Sequence, residues 1–380
     1  MKINKYPNML RGFIFGSILS ISQINLSFGL PLSLVGLLVT APRFTFKKEY
    51  LDLFLLLLFQ IIWMSSVYFI YKASNALYLF KYLSVFVILM PMLFIDYDES
   101  YMKGISLSIL ALLSVDFLFN MSSIVFGVDP LGRTPDIRPG DIIPRLGGIF
   151  GHSFFSVNIS IIGIFCGLLL KSRFIFIISI INLMVNGTFR SWLSILLFVL
   201  AYILIRAALK FRNLLVCLII FVSFVFAITI YTAFEYDSGG NALRVFAWSS
   251  SIDQIFKNPL FGKQKFLTGV FEGVNQYVIT DYGIAESQYL EIGLHFGIIP
   301  MIIYILILFK ILLNSCKYNL LIKRRWTFRE TIALASVVIF ADTFYGSIFG
   351  SVLTTFFFGI LLVSNPKANF KNNESLKYRN

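Results

Sequence analysis

The sequence predicts an all-α polytopic membrane protein of about twelve helices. Three observations carry that expectation. Apolar runs of membrane-crossing length follow one another along the 380 residues, most with only short connectors between them. Charged residues make up 13% of the chain, against roughly 25% in a soluble domain, so the side chains that a water-facing surface needs are missing. The Lys and Arg residues gather in short clusters in alternate connectors, which is the pattern that membrane orientation imposes.

Taking about 20 apolar residues per crossing, spans are expected at 8–24, 28–42, 50–71, 76–95, 103–126, 153–170, 174–187, 190–206, 213–233, 289–312, 330–346 and 349–364. The first follows a basic start (Lys2, Lys5, Arg11), and no small-residue cleavage site comes before the next apolar run, so it reads as a span rather than a signal peptide. The second and seventh are short, as expected of helices that are tilted, re-entrant or sheltered by neighbours.

Alternate connectors carry Arg43, Lys47 and Lys48; Lys171 and Arg173; Arg206, Lys210 and Arg212; then Lys317, Lys323, Arg324, Arg325 and Arg329. The positive-inside rule places these, and both termini, in the cytoplasm. Asp96, Asp98 and Glu99 run against the pattern, but acids weigh little in that rule. The expected organisation is therefore one transmembrane domain over residues 1–365, outer loops at 127–151 and 234–288, and a cytoplasmic tail at 366–380. The longer loop exceeds most connections in compact domains and holds Phe246, Trp248, Phe256, Phe261, Phe266, Phe271, Tyr277 and Tyr282. That is more apolar payload than a disordered tether carries.

The net charge of +13 does not signal nucleic acid, because the cations lie between apolar runs and not on one polar face. Cys166, Cys217 and Cys316 all sit in or beside apolar runs, so no disulfide framework is expected. No phosphate-binding glycine loop opens a soluble helix, and Asp96-Tyr97-Asp98, which has the spacing of a metal-binding carboxylate pair, falls on the cytoplasmic side away from every other candidate.

Three outer arginines stand where topology and helix physics both disfavour a cation. Arg145 lies in Arg145-Leu-Gly-Gly-Ile-Phe-Gly-His152, whose glycines allow close backbone approach. Arg190 opens the eighth span, where the helix N-terminus is already positive. Arg244 begins a segment in which Val245, Trp248, Ile252 and Ile255 recur at helical spacing until Asn258-Pro259 stops it. This predicts an amphipathic surface helix with Arg244 in its first turn. A planar guanidinium suits phosphate better than an ammonium does, so together the three make a diphosphate clamp. The competing reading is that each snorkels to lipid headgroups.

Proton-transfer candidates are His152 and Glu286, with Glu291 and His295 four residues apart on one helix face, where a carboxylate can orient an imidazole or the two can simply satisfy one another. Lys81, Asp116 and Asp342 are charges within expected spans, and a structural Lys81–Asp116 pair accounts for two of them.

The ordered set Arg145-Leu-Gly-Gly-Ile-Phe-Gly-His152, Thr188-Phe-Arg190-Ser191, Arg244-Val-Phe-Ala-Trp248, Asn258-Pro-Leu-Phe-Gly262 and Glu286-Ser-Gln-Tyr-Leu-Glu-Ile-Gly-Leu-His-Phe-Gly297 resembles the O-antigen polymerase and ligase superfamily, the Wzy-type membrane glycosyltransferases. The resemblance implies an inner-membrane enzyme of bacterial lipopolysaccharide or other surface-polysaccharide biosynthesis. Its substrate would be an oligosaccharide on undecaprenyl diphosphate, used at the outer face without metal or other cofactor. Expected partners are membrane lipids and a chain-length regulator and flippase of the same pathway, with no nucleic acid. The resemblance further implies Arg145, Arg190, Arg244 and Tyr289 at the substrate, and Glu286 or His152 as the base. Ligases of the family carry a histidine where this chain has Glu286, which points to a polymerase. The Arg-x10-Gly loop pattern of some polymerases is not met, since Arg138 to Gly148 is one residue short. The alternatives are a ligase of the same superfamily and a polysaccharide flippase; the aromatic outer loop favours an enzyme over the flippase.

Overall fold

The computed structural model describes residues 5–22, 26–42, 44, 50–70, 76–95, 99–136, 144–170, 172–207, 227, 240–262 and 287–320. These residues form eleven α-helices and no named strand: α1 (Lys5–Ser22), α2 (Leu26–Thr40), α3 (Leu51–Ile70), α4 (Ala76–Met92), α5 (Glu99–Phe126), α6 (Ser153–Leu170), α7 (Arg173–Val185), α8 (Phe189–Ala207), α9 (Gly240–Lys257), α10 (Gln288–Phe296) and α11 (Ile298–Leu320). The first eight follow the expected spans to within a few residues. The expected spans 213–233, 330–346 and 349–364 lie outside the described residues.

Among the described residues, two helices, Leu51–Ile70 and Ser100–Phe126, are long and apolar enough to cross a membrane. At 1.5 Å per residue, the 28 residues of α5 extend about 42 Å. Large apolar side chains also face outward, with Val39 75%, Phe69 72%, Leu118 63% and Phe126 74% exposed.

Small residues set the tightest contact. Gly12 and Gly16 of α1 face Gly104 and Ser108 of α5, so closely that a Cβ at Gly12 would strike the Tyr101 carbonyl and one at Gly104 the Met9 carbonyl. The Ser17 and Ser108 hydroxyls meet at 3.1 Å across the same seam. Backbones that approach this closely gain dispersion contacts and hydrogen bonding. A single apolar core then links Phe15 and Leu19 of α1, Leu53 and Leu57 of α3, Phe86 of α4, Ile105 and Ile109 of α5, Ile161 of α6, and Ile292 and Phe296 of α10.

The chain departs from expectation at 289–312, where one span was foreseen and two helices are found. Gly297 adopts φ 93° and ψ 175°, and a Cβ there would meet the Leu260 carbonyl. Pro300 lacks the N–H that would bond the Phe296 carbonyl four residues back. The Trp63 indole N–H donates to that carbonyl instead, at 3.2 Å. Gln60 Nε2 donates to the Pro300 carbonyl at 3.0 Å, while farther along α11 Lys310 Nζ reaches Asp52 Oδ2 at the start of α3. α3 and α11 therefore run antiparallel.

Candidate functional site

The polar side chains of α5, α6 and α7 recur at helical spacing: Asp116, Asn120 and Ser123; Ser156 and Ser160; Asn182 and Asn186. All seven are buried, and five join side chain to side chain in a continuous hydrogen-bond network. Asp116 Oδ2 accepts from the Ser156 hydroxyl at 2.7 Å and from Asn182 Nδ2 at 2.9 Å. Asn120 Nδ2 donates to Ser156 Oγ and to Asn182 Oδ1, and Asn182 Nδ2 also donates to Ser160 Oγ.

This network holds a backbone turn. Asp116 Oδ1 accepts the Ile149 N–H at 3.0 Å, and Asn120 Oδ1 accepts the Gly148 N–H at 2.9 Å. Asn186 at the end of α7 is bonded both ways to Leu146: its Nδ2 donates to the Leu146 carbonyl, and its own carbonyl accepts the Leu146 N–H. Residues 148–150 form a single 3-10 turn. Gly148 has φ 57°, and a Cβ there would collide with the Asp116 carboxylate, so glycine is required on both counts.

Arg133 closes the turn from the other side. Its Nη2 donates to the Gly148 and Ile149 carbonyls at 2.9 and 3.1 Å, while its Nε is paired with Asp129 Oδ2. Asp129 Oδ1 accepts the backbone N–H groups of Leu131 and Arg133. Burial pushes the Asp129 carboxyl up, but those hydrogen bonds and the Arg133 charge outweigh it and hold it below the usual carboxylate range.

Of the expected site residues, Arg145 and His152 are brought together. Arg145 is half-buried and pairs backbone to backbone with Asp136, N–H to carbonyl in both directions at 2.8 and 3.2 Å. His152 is exposed just before α6, its ring 5.9 Å from Phe155. Both line a polar pocket of about 100 Å³ with Asp129, Arg133, Thr134, Asp136 and Ser153.

Arg190 is the second residue of α8, as expected at a helix start, and its neighbours Thr188 and Ser191 bond to Asn186 Oδ1. The Arg145 and Thr188 motifs therefore meet at Asn186. The side chains of Arg190, Arg244 and Lys81 are outside the described residues, as are Glu286, Asp342 and Asp96-Tyr97-Asp98. Asp116 bonds to Ser156, Asn182 and Ile149, so its burial needs no lysine partner.

The amphipathic segment expected around Arg244 is helical and ends where Asn258-Pro259 predicts. It starts at Gly240, which puts Arg244 in the second turn and not the first. Its inward face is Trp248, Ser251 and Ile255, whereas Ile252, expected on the apolar face, is 42% exposed. Val245 lies outside the described side chains. Ile255 packs on Gly293 of α10, the Pro259 carbonyl accepts the Ile298 N–H at 2.7 Å, and Phe261 stacks on Trp63 at 6.2 Å. The Asn258–Gly262 segment thus clasps the break between α10 and α11.

Inside that break lies a second polar group. Glu291 and His295 are both buried. The Tyr82 hydroxyl donates to Glu291 Oε2 at 3.1 Å, and its ring lies 5.7 Å from that of His295. Tyr289 is half-buried, 5.6 Å from the Tyr304 ring.

Sequence reading missed Asn120, Ser156, Asn182 and Asn186, and with them Asp129 and Arg133. The signal for the first four was present: amides and hydroxyls three or four residues apart within apolar helices. No protein-family model matches the chain, and no curated protein is detectably similar to it.

Proposed function

We propose that the chain is a multi-pass bacterial inner-membrane glycosyltransferase, a surface-polysaccharide polymerase that joins polyprenyl-diphosphate-linked repeat units at the outer face, with both termini cytoplasmic. The observation that carries the reading is the meeting of distant motifs: Arg145–His152 with Thr188–Ser191 at Asn186, and Asn258–Gly262 with the Tyr289–Gly297 stretch. The exposed apolar side chains of α2, α3 and α5 support a lipid surround, since a soluble monomer rarely leaves so many uncovered.

In this reading an acceptor hydroxyl attacks the anomeric carbon of the donor glycan. The bond from that carbon to the diphosphate oxygen breaks, and the lipid diphosphate leaves with its electron pair. Glu286 or His152 takes the hydroxyl proton. Arg145, Arg190, Arg244 and Tyr289 contact the glycosyl diphosphate, and those guanidiniums that lie beside its phosphates offset charge as it develops.

The test is the carbohydrate profile of a deletion strain complemented with variants. Deletion is expected to leave single-repeat chains, and Glu286→Gln, made at normal level, is expected to do the same while Glu286→Asp keeps part of the activity. A bare core in the deletion strain would indicate a ligase. A fully active Glu286→Gln would remove Glu286 as the base.

A further inference from the structure

The pocket at Arg145 permits a finer statement about what it meets. A diphosphate site needs an excess of positive charge, and among the described residues this lining has none: two carboxylates, Asp129 and Asp136, stand against two guanidiniums, Arg133 and Arg145. Arg133 is committed to Asp129 and to the Gly148 and Ile149 carbonyls. Asp136 is directly opposite Arg145 in the antiparallel bridge, and residues so placed project to the same face with Cβ atoms about 5 Å apart. An anion approaching Arg145 therefore also approaches an exposed carboxylate, and at about 5 Å that repulsion offsets much of the attraction.

What such a lining suits is a ligand that offers donors and acceptors side by side. Sugar hydroxyls do both: they donate to the carboxylate and accept from the guanidinium, with the Thr134 and Ser153 hydroxyls adding partners of either sense. The volume of about 100 Å³ is several times what one ordered water needs, room for one hydroxyl-bearing edge of a single ring. We propose that the pocket framed by Asp136, Arg145 and His152 binds an uncharged glycosyl ring and not the diphosphate. The assignment of that ring to the lipid-linked repeat unit rests on the polymerase reading, and the diphosphate then falls to Arg190 and Arg244.

The test uses the full chain in detergent micelles with two probes, a panel of methyl glycosides of neutral hexoses and N-acetylhexosamines at tens of millimolar, and inorganic pyrophosphate. Saturation-transfer NMR is expected to show at least one glycoside bound and not displaced by pyrophosphate. Because Asp136 is exposed, Asp136→Asn should fold with an unchanged melting temperature. It should weaken the glycoside about tenfold and, by removing the carboxylate charge across from Arg145, let pyrophosphate compete. Absence of binding by every glycoside, or displacement of the bound glycoside from the wild type by pyrophosphate, overturns the proposal. Glycoside binding in a protein whose deletion leaves the cellular polysaccharide intact sustains the pocket and removes the polymerase. Single-repeat chains on deletion, with pyrophosphate alone in the pocket, do the reverse.

Discussion

The two polar regions of this bundle bury similar chemistry for different ends. Around α5, α6 and α7, a carboxylate, three amides and two hydroxyls spend their hydrogen bonds on one another and on the backbone of residues 146–149, and the turn they fix borders an open pocket. Around α10 and α11 the order is inverted. Backbone contacts from the Asn258–Gly262 clasp hold the helices, and the carboxylate and imidazole of Glu291 and His295 are enclosed between α4 and α10. The first region uses buried polarity to position a surface, whereas the second uses surface backbone to enclose polarity. Burial of an acid therefore does not by itself distinguish a scaffold from a reactive group; the partner groups do.

The largest expected effect separates the two regions directly. Asp116→Ala leaves the Ser156 hydroxyl, the Asn182 amide and the Ile149 N–H short of an acceptor, at a cost of about 3 kcal/mol. Glu291→Ala removes an acceptor of the Tyr82 hydroxyl and none of the bonds that hold residues 146–149. Thermal unfolding in detergent should show the larger drop for Asp116→Ala. Amide exchange should rise at 146–151 in that variant and stay at the wild-type level there in Glu291→Ala. Equal exchange in both would mean that the network does not hold the turn.

That comparison also explains what could be read from sequence. Apolar run length located eight helices, because a helix satisfies its own backbone hydrogen bonds along an uninterrupted apolar run. It missed the break at Gly297, since Ile298, Ile299 and Met301 keep the run apolar and only Gly297 and Pro300 mark the interruption. Arg145 and His152 were visible as charge near a glycine turn. Their shared pocket was not, because it depends on Arg133 and Asp136, which look like ordinary loop charges until the bridge to Arg145 forms. Asp116 was visible as an anomaly, but a salt-bridge expectation sought a cation, and the partners found are neutral donors distant in sequence.

A smaller effect lies at the rim of the first region. The Asp129 carboxyl is held below its ordinary range chiefly by hydrogen bonds from Arg133 that outweigh burial. A carboxyl whose folded-state pKa is depressed contributes stability above the unfolded pKa, and that contribution fades as pH falls through the folded value. Melting temperature should therefore decline below the ordinary carboxyl range in the wild type, with a shallower decline in Arg133→Ala. Asp129 lies at the mouth of the turn, so the effect should stay near 1 kcal/mol. Slopes that do not differ would assign the acid sensitivity to other carboxyls.

The smallest expected effect is at the far end of α11, where Lys310 Nζ meets Asp52 Oδ2 at 3.0 Å. The pair joins α3 to α11 as the Gln60 bond does, but the Asp52 side chain is 79% exposed, so its charge keeps most of its solvation and the net gain is under about 1 kcal/mol. Gln60 is fully buried, and its replacement removes an interior hydrogen bond to the Pro300 carbonyl and leaves a cavity where the side chain packs. Gln60→Ala should therefore lower the melting temperature more than Lys310→Ala, and high salt should erase what little Lys310→Ala does while leaving Gln60→Ala unchanged. If Lys310→Ala proved the more damaging, α11 would be held at its charged end, and the clasp and indole contacts at Gly297 would be secondary to it.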